Sequence, residues 1–271
     1  MSDGPPAPAG SAEGGPLGED QGTEPGSSAT PKAPPRTARD LGLATATVVV
    51  GFGILTACLL VFGSLAQDVR SKDVFMVDAW ATPFLHGIAS PSMDAVMTAI
   101  TTLGTVFVIL PALVILGVWL LRTGRVRSLG FLVAAILGSL VLQLVLKPFF
   151  ARPRPDVPYA QILSDYSFPS GHTLSAVVFY GGVALVIWSL FGRRAGLAAV
   201  GVAAVISIAV GVSRIYLGYH FLTDVVGAIL AGIAWLLIIG AAFRARPTWR
   251  RWRSRGASVR RPAGPGAMAS R

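Results

Sequence analysis

The chain reads as all-α: a bundle of six membrane-spanning helices with one further helix lying in the outer interface. Three observations predict this. Of 271 residues, 53% are hydrophobic and only 13% charged, roughly half the charge fraction of a soluble domain. The apolar residues form unbroken stretches close to the ~20 residues that cross a bilayer. Basic residues cluster between those stretches, as they do on the cytoplasmic side of membrane proteins.

Residues 1–40 are rich in Pro, Gly, Ala and Ser and nearly devoid of large apolar side chains. They cannot bury a core and are expected to be disordered. The first apolar run comes too late and is too long for a cleaved signal peptide, and reads as a retained signal-anchor. A transmembrane domain is expected over 41–243, with spans at about 41–66, 94–121, 129–146, 173–191, 195–212 and 221–243. Pro111 is expected to kink the second span and Gly181-Gly182 either to loosen the fourth or, as the favoured reading, to serve helix packing. Small residues four apart, Gly227 with Ala231 and Ala228 with Gly232, should let helices pack closely. Cys58, the single cysteine, rules out an intrachain disulfide and reads as a small packing residue. Nothing in the sequence encodes an oligomeric state.

Residues 73–87 are too short to span. Val74, Val77, Trp80, Ala81, Phe84 and Leu85 recur at helical spacing, with Asp73 and Asp78 as polar breaks. This pattern predicts an amphipathic interfacial helix, either gating substrate or serving as a plain packing connector. His86 at its end reads as an interfacial histidine. Ser92, just before Asp94, reads as a helix N-cap.

The net charge of +10 looks at first like a nucleic-acid signal. Its distribution argues against one. Residues 244–271 carry nine arginines and no acid, directly after the last apolar run and without an aromatic-interleaved platform. Such a tail suits the cytoplasmic face and anionic lipid headgroups, with Trp249 and Trp252 as interfacial anchors. Lys32, Arg36 and Arg39, then Arg122, Arg125 and Arg127, then Arg193 and Arg194, fall on the same side if there are six spans. A multi-pass protein of the cell membrane with both termini cytoplasmic follows. Lys147, Arg152 and Arg154 fall on the outer side, against that bias, and so read as held for binding.

Three short blocks carry the chemistry, all at span ends on that outer side. Lys147 is followed, after six residues, by Arg154-Pro155. Next comes Pro169-Ser170-Gly171-His172. Last comes Ser213-Arg214, then five residues and His220, then three and Asp224. Ionisable groups at such positions are costly and call for a reason. Lys147, Arg154 and Arg214 can neutralise phosphate oxygens. Ser170 adds a hydroxyl, and Gly171 lets the backbone amide approach at a helix N-terminus. His220 and Asp224, four apart on a helix start, share a face. The carboxylate can hold one ring nitrogen protonated and free the other to attack, and His172 can protonate the leaving oxygen. The product of attack would be a phosphohistidine. The three histidines are widely spaced, so neither metal nor other cofactor is called for. The stretch from Pro148 to Gly171, 24 residues, is longer than a connector needs.

These motifs resemble those of the type-2 phosphatidic acid phosphatase family, relatives of the vanadium haloperoxidases. The likeness runs over about 89–242 and no motif residue departs from the pattern. The resemblance implies a helical bundle with metal-independent phosphatase activity, usually on lipid phosphates or diphosphates. It also implies phosphate binding by Lys147, Arg154, Ser170, Gly171, His172 and Arg214, with His220 as nucleophile, His172 as acid and Asp224 as partner of His220. Arg152 lies outside the motif and reads either as a headgroup or supporting contact or as a solvated arginine. The expected function is hydrolysis of a lipid phosphate such as undecaprenyl diphosphate, phosphatidic acid or phosphatidylglycerol phosphate at an outward-facing site, with a bell-shaped pH dependence. The competing readings are a transporter for an anionic solute and a lipid-binding protein without turnover.

Overall fold

A computed structural model describes residues 38–71, 76–160 and 164–258, with side chains between 45 and 244. Most of the 1–40 head, Asp73 and Val74, and the side chains of the arginine tail beyond Arg244 lie outside the described residues. The described residues form seven helices: α1 (Ala38–Ser71), α2 (Met76–His86), α3 (Pro91–Thr102), α4 (Val106–Arg122), α5 (Val126–Phe150), α6 (Gly171–Tyr216) and α7 (Leu222–Ser258). Every residue of the site belongs to the unit Ala44–Arg271.

Among the described residues, four helical stretches are long and apolar enough to cross a membrane: Thr45–Ser71, Val126–Phe150, Gly171–Tyr216 and Leu222–Arg244. The bent pair α3 and α4 makes a fifth if it is one span. The stretches expected at 173–191 and 195–212 both lie in α6, which is 46 residues long. Its backbone leaves helical geometry at Gly192, with φ 83° and ψ −173°, a conformation that glycine adopts without a Cβ penalty. The two halves fold back on each other there. A Cβ on Gly196 would come within 2.7 Å of the Trp188 Cβ, whereas residues eight apart in a straight helix stand about 12 Å apart. At the far end Thr173 packs against Gly211. The hairpin thus returns Ser213-Arg214 to the level of Gly171-His172.

The core is apolar. Leu120, Leu132, Leu174, Val178 and Ala228 are buried across α4, α5, α6 and α7. Trp235 lies flat over Gly138, and its Nε1 donates to the Ala135 carbonyl at 2.8 Å. Gly227 faces Phe168 and Gly232 faces Val177 at distances no Cβ would permit, so the small residues do allow close approach. Gly181 and Gly182 meet Leu236 and Leu132; they serve packing rather than loosening. The bend, 44°, lies between α3 and α4, upstream of Pro111, which sits inside α4. On the outside, Phe52, Leu60, Phe107 and Leu144 are all exposed, as lipid-facing side chains are. Toward the end of α1, Phe62, Leu65, Ala66 and Val69 pack with Phe150 and Phe168.

The helix expected at 73–87 is α2, and it packs on α6 and α7. Trp80 stacks on Phe84 at 4.4 Å and both are exposed with Met76. Asp78, Ala81 and Thr82 are the buried face. α3 begins at Pro91 and is capped by Ser90, whose Oγ accepts from the Met93 amide at 3.2 Å. Ser92 is already inside the helix, since Pro at the first helical position displaces the cap upstream.

Candidate active site

All three motif blocks meet at one end of the bundle. Lys147 stands in the last turn of α5. Ser170, Gly171 and His172 start α6, Arg214 stands in its last turn, and Asp224 stands in the first turn of α7. The five residues between Arg214 and His220 make a tight turn through Gly218, with φ 71°. A Cβ there would strike Val157 at 2.6 Å, so glycine serves both the turn and the close approach of the α5–α6 connection.

Contacts tie each block to the others. The Gly171 Cα faces the Lys147 chain and Gln143 Oε1, and a Cβ there would stand 2.6 Å from that oxygen. The Ser170 amide donates to the Asp224 carbonyl at 3.1 Å, and its Oγ lies 3.0 Å from Thr173 Oγ1. Arg154 Nη1 donates to the Tyr219 carbonyl at 2.6 Å and stands 3.3 Å from His220 Nε2. His172 has Arg214, His220, Lys147 and Arg154 near enough for their charges to act on it.

The tautomer of His220 follows from these neighbours. A guanidinium N–H only donates, so Nε2 accepts and the ring proton sits on Nδ1. Nδ1 lies 3.4 Å from Asp224 Oδ2, close enough to pair with a ring cation but short of a well-aligned hydrogen bond. Asp224 Oδ2 also accepts the Phe221 amide at 2.9 Å. His220 and Asp224 are both buried. Burial holds the His220 imidazole down to about 4; the Asp224 carboxylate opposes this, and Arg214 and Arg154 add to it. The ring is therefore neutral at ordinary pH, with a lone pair on Nε2 among cations. Such a nitrogen can attack phosphorus.

The cations are arranged to take an anion. Arg214 is buried, lies over the Tyr219 ring at 4.1 Å and donates to Thr101 Oγ1 at 3.3 Å. Its Nε has no hydrogen-bond partner among the described residues, an expensive state for a buried charged donor that phosphate would relieve. Lys147 Nζ and Arg154 converge on Asp165, with Arg154 Nη2 at 2.7 Å from Oδ1 and Lys147 on Oδ2. Burial alone would raise the Asp165 carboxyl, but the bonds and charges of Lys147 and Arg154 hold it at about 2. A carboxylate thus occupies the grip of two of the three motif cations.

A sequence model of the PAP2 superfamily matches residues 128–248. Over 183 residues the chain is 33% identical to phosphatidylglycerophosphatase B of Bacillus subtilis, covering 66% of this chain and 90% of the relative. The chain belongs to the PAP2 superfamily. The undecaprenyl-diphosphatase BcrC of Bacillus subtilis is 31% identical over 172 residues, 59% of this chain and 78% of that one. The crystal structure of a transmembrane PAP2-type phosphatidylglycerolphosphate phosphatase from Bacillus subtilis superposes with a TM-score of 0.65 at 30% identity, covering 69% of this chain and 94% of that one. This PAP2 chain is accordingly an enzyme, a phosphatase of multi-pass membrane type.

Four residues around the PAP2 motifs escaped the sequence reading, and a fifth was left ambiguous. Asp165 gave no periodic signal, being one acid in a long connection. Thr101 gave none either. Gln143 did: a polar side chain in an apolar span, one turn before Lys147 and on its face. Asp78 did too, as a lone acid in an otherwise apolar helix. Arg152, left open between supporting contact and solvated surface, is the former. It bonds to Asp78, Thr223 and Asp224. His86 stacks on Tyr159 at 3.4 Å and lies 3.3 Å from the Tyr216 carbonyl.

Proposed function

We propose that the chain hydrolyses a lipid phosphate or diphosphate through a phosphohistidine on His220. Lys147, Arg154 and Arg214, with the Ser170 hydroxyl and the Gly171 amide, bind the non-bridging oxygens and offset the charge that grows on them. His220 Nε2 attacks phosphorus while the bond to the leaving oxygen breaks, and His172 gives that oxygen its proton. Asp224 stabilises the ring cation so formed. A water molecule then loses its proton to His172 and attacks phosphorus. The P–N bond breaks, releasing inorganic phosphate and restoring both histidines. The observation that carries this reading is His220 Nε2 standing 3.3 Å from Arg154 Nη1, both groups contributed by motif positions far apart in the chain.

The site faces the outer side of the cell membrane in this reading, and the chain crosses six times, α3 with α4 as one span and α6 as two. Arg125 lies over Trp119 and Phe191, and Arg127 bonds to the Phe243 carbonyl. These contacts put the basic connections at the end of the bundle opposite the motifs, which supports cytoplasmic termini. A lipid tail has a place to lie. A cavity of about 420 Å³ between the halves of α6 and α7 is lined by Val177, Ile229, Ile233 and Leu237. It starts one and a half turns below His172 and Asp224. The relatives named above act on phosphatidylglycerol phosphate and undecaprenyl diphosphate, which join phosphatidic acid as candidate substrates.

The test is phosphate release by the detergent-purified protein in EDTA, across these three lipids, with His220→Ala alongside. Release that survives EDTA and vanishes in the variant is expected. Equal release from the variant, or none from the wild type, would sink the reading and restore transport or binding without turnover.

A further inference from the structure

Asp78, Arg152 and Thr223 lie outside the three motifs yet enclose the carboxylate that orients His220. Arg152 Nη1 donates to Asp224 Oδ1 at 2.6 Å and to Thr223 Oγ1 at 2.7 Å, and its Nη2 donates to Asp78 Oδ2 at 2.8 Å. Asp78 in turn accepts the Thr223 amide on Oδ1 at 2.9 Å and the Thr223 hydroxyl on Oδ2 at 2.5 Å. The Phe221 ring closes one face of the guanidinium at 4.3 Å. Both Nη atoms of Arg152 are engaged by Asp224, Thr223 and Asp78, which commits its fork to this cluster rather than to the phosphate grip.

The charge balance of this cluster is unusual. Removing ions from water is costly even when they are paired, and an Arg152–Asp224 pair alone would be neutral. Asp78, brought in on α2 from 74 residues away in sequence, makes the cluster net negative. Buried net negative charge is stabilised when positive charge develops beside it. His220 is where that happens, because phosphorylation of Nε2 with the proton kept on Nδ1 leaves the ring cationic next to Asp224 Oδ2.

We infer that Asp78 and Arg152 are positioning residues for the His220–Asp224 pair, fixing the direction of the Asp224 carboxylate and the negative charge it presents to the imidazole. The inference rests on the histidine-nucleophile reading above. Without the Arg152 fork, Oδ1 loses its anchor and the carboxylate is free to turn about its last torsion. Without the Asp78 charge, the guanidinium acts on Asp224 alone and weakens its hold on the ring cation. Either change slows attack and leaves substrate binding untouched.

Asp78→Asn keeps the shape and an acceptor oxygen. Arg152→Lys keeps the charge and loses the fork. Both are compared with wild type and His220→Ala as full-length protein in detergent, on whichever of the three lipids wild type hydrolyses fastest, with thermal unfolding as a check on folding. The expected result is a kcat lowered by about tenfold to a hundredfold in each variant. KM and inhibition by inorganic phosphate should stay within about twofold, as for an interaction made only in the transition state. Wild-type kcat in folded Asp78→Asn overturns the proposal, and so does a raised KM at unchanged kcat. If Asp78→Asn does not fold, Arg152→Lys decides on the same two quantities. A dead His220→Ala with unaffected variants removes the positioning role alone. An active His220→Ala, or an inactive wild type, removes the reading beneath it and the inference with it.

Discussion

The His220 imidazole is squeezed between opposite demands, an arginine on Nε2 and a carboxylate on Nδ1, and is buried. Burial wins, and the ring is held at about 4 against an ordinary 6.5. In activity, the acid limb of kcat/KM against pH should have its midpoint near 4, since the free enzyme needs a neutral nucleophile. A midpoint between 6 and 7 would mean a hydrated ring, on the scale of an unperturbed histidine. The same depression acts on stability. Between about 4 and 6.5 the folded state binds fewer protons than the unfolded one, so this stability is complete above the unfolded value and is lost as pH falls through the folded value. Asp165 supports a second expectation. Its carboxylate sits on Lys147 and Arg154 but its side chain is 52% exposed, so substrate phosphate can displace it. Asp165→Asn should lower KM several-fold with kcat little changed, as steady-state kinetics would show; a raised KM would make Asp165 an organiser of the cations rather than their competitor.

Each helix boundary near the site is set by one backbone position. Ala151 ends α5 in the left-handed region, with φ 45°, where a Cβ costs about 1–2 kcal/mol. It turns the chain so that Arg152 and Arg154 point back into the bundle. Ala151→Gly should raise thermal stability in detergent by about 1 kcal/mol and leave turnover intact. In the interior, Gly138 lets the Trp235 indole cross α5. Gly138→Ala forces a rigid ring to move and should cost about 1–3 kcal/mol, visible as a lower unfolding temperature. At the opposite end of the bundle, Gly192 is the position where α6 turns into a hairpin.

Across the molecule, charge is sorted by end. Arg122, Arg125, Arg127, Arg193, Arg194 and Arg244 belong to one end, and the site with its paired cations and carboxylates belongs to the other. The proposed orientation can be read directly by thiol labelling in a Cys58→Ser background. Asp156→Cys, in the exposed connection beside the site, should react with an impermeant reagent on intact cells. Thr123→Cys, in the basic turn between α4 and α5, should react only after permeabilisation. The reverse pattern would place the site on the cytoplasmic side.

The sequence by itself determined the helical class, the apolar runs, the family and the eight residues of its motifs, because each is carried by local spacing: a helix period, a basic cluster, six residues between a lysine and Arg-Pro. It misplaced the cap of α3 and the bend upstream of Pro111, both of which turn on one or two torsions. Only the tertiary structure decided that Arg152 is locked between Asp78 and Asp224, and that Asp165 lies in the grip of Lys147 and Arg154. Those are contacts between residues far apart in the chain. Burial and electrostatics select them only once the helices have packed, and no spacing along the sequence records them.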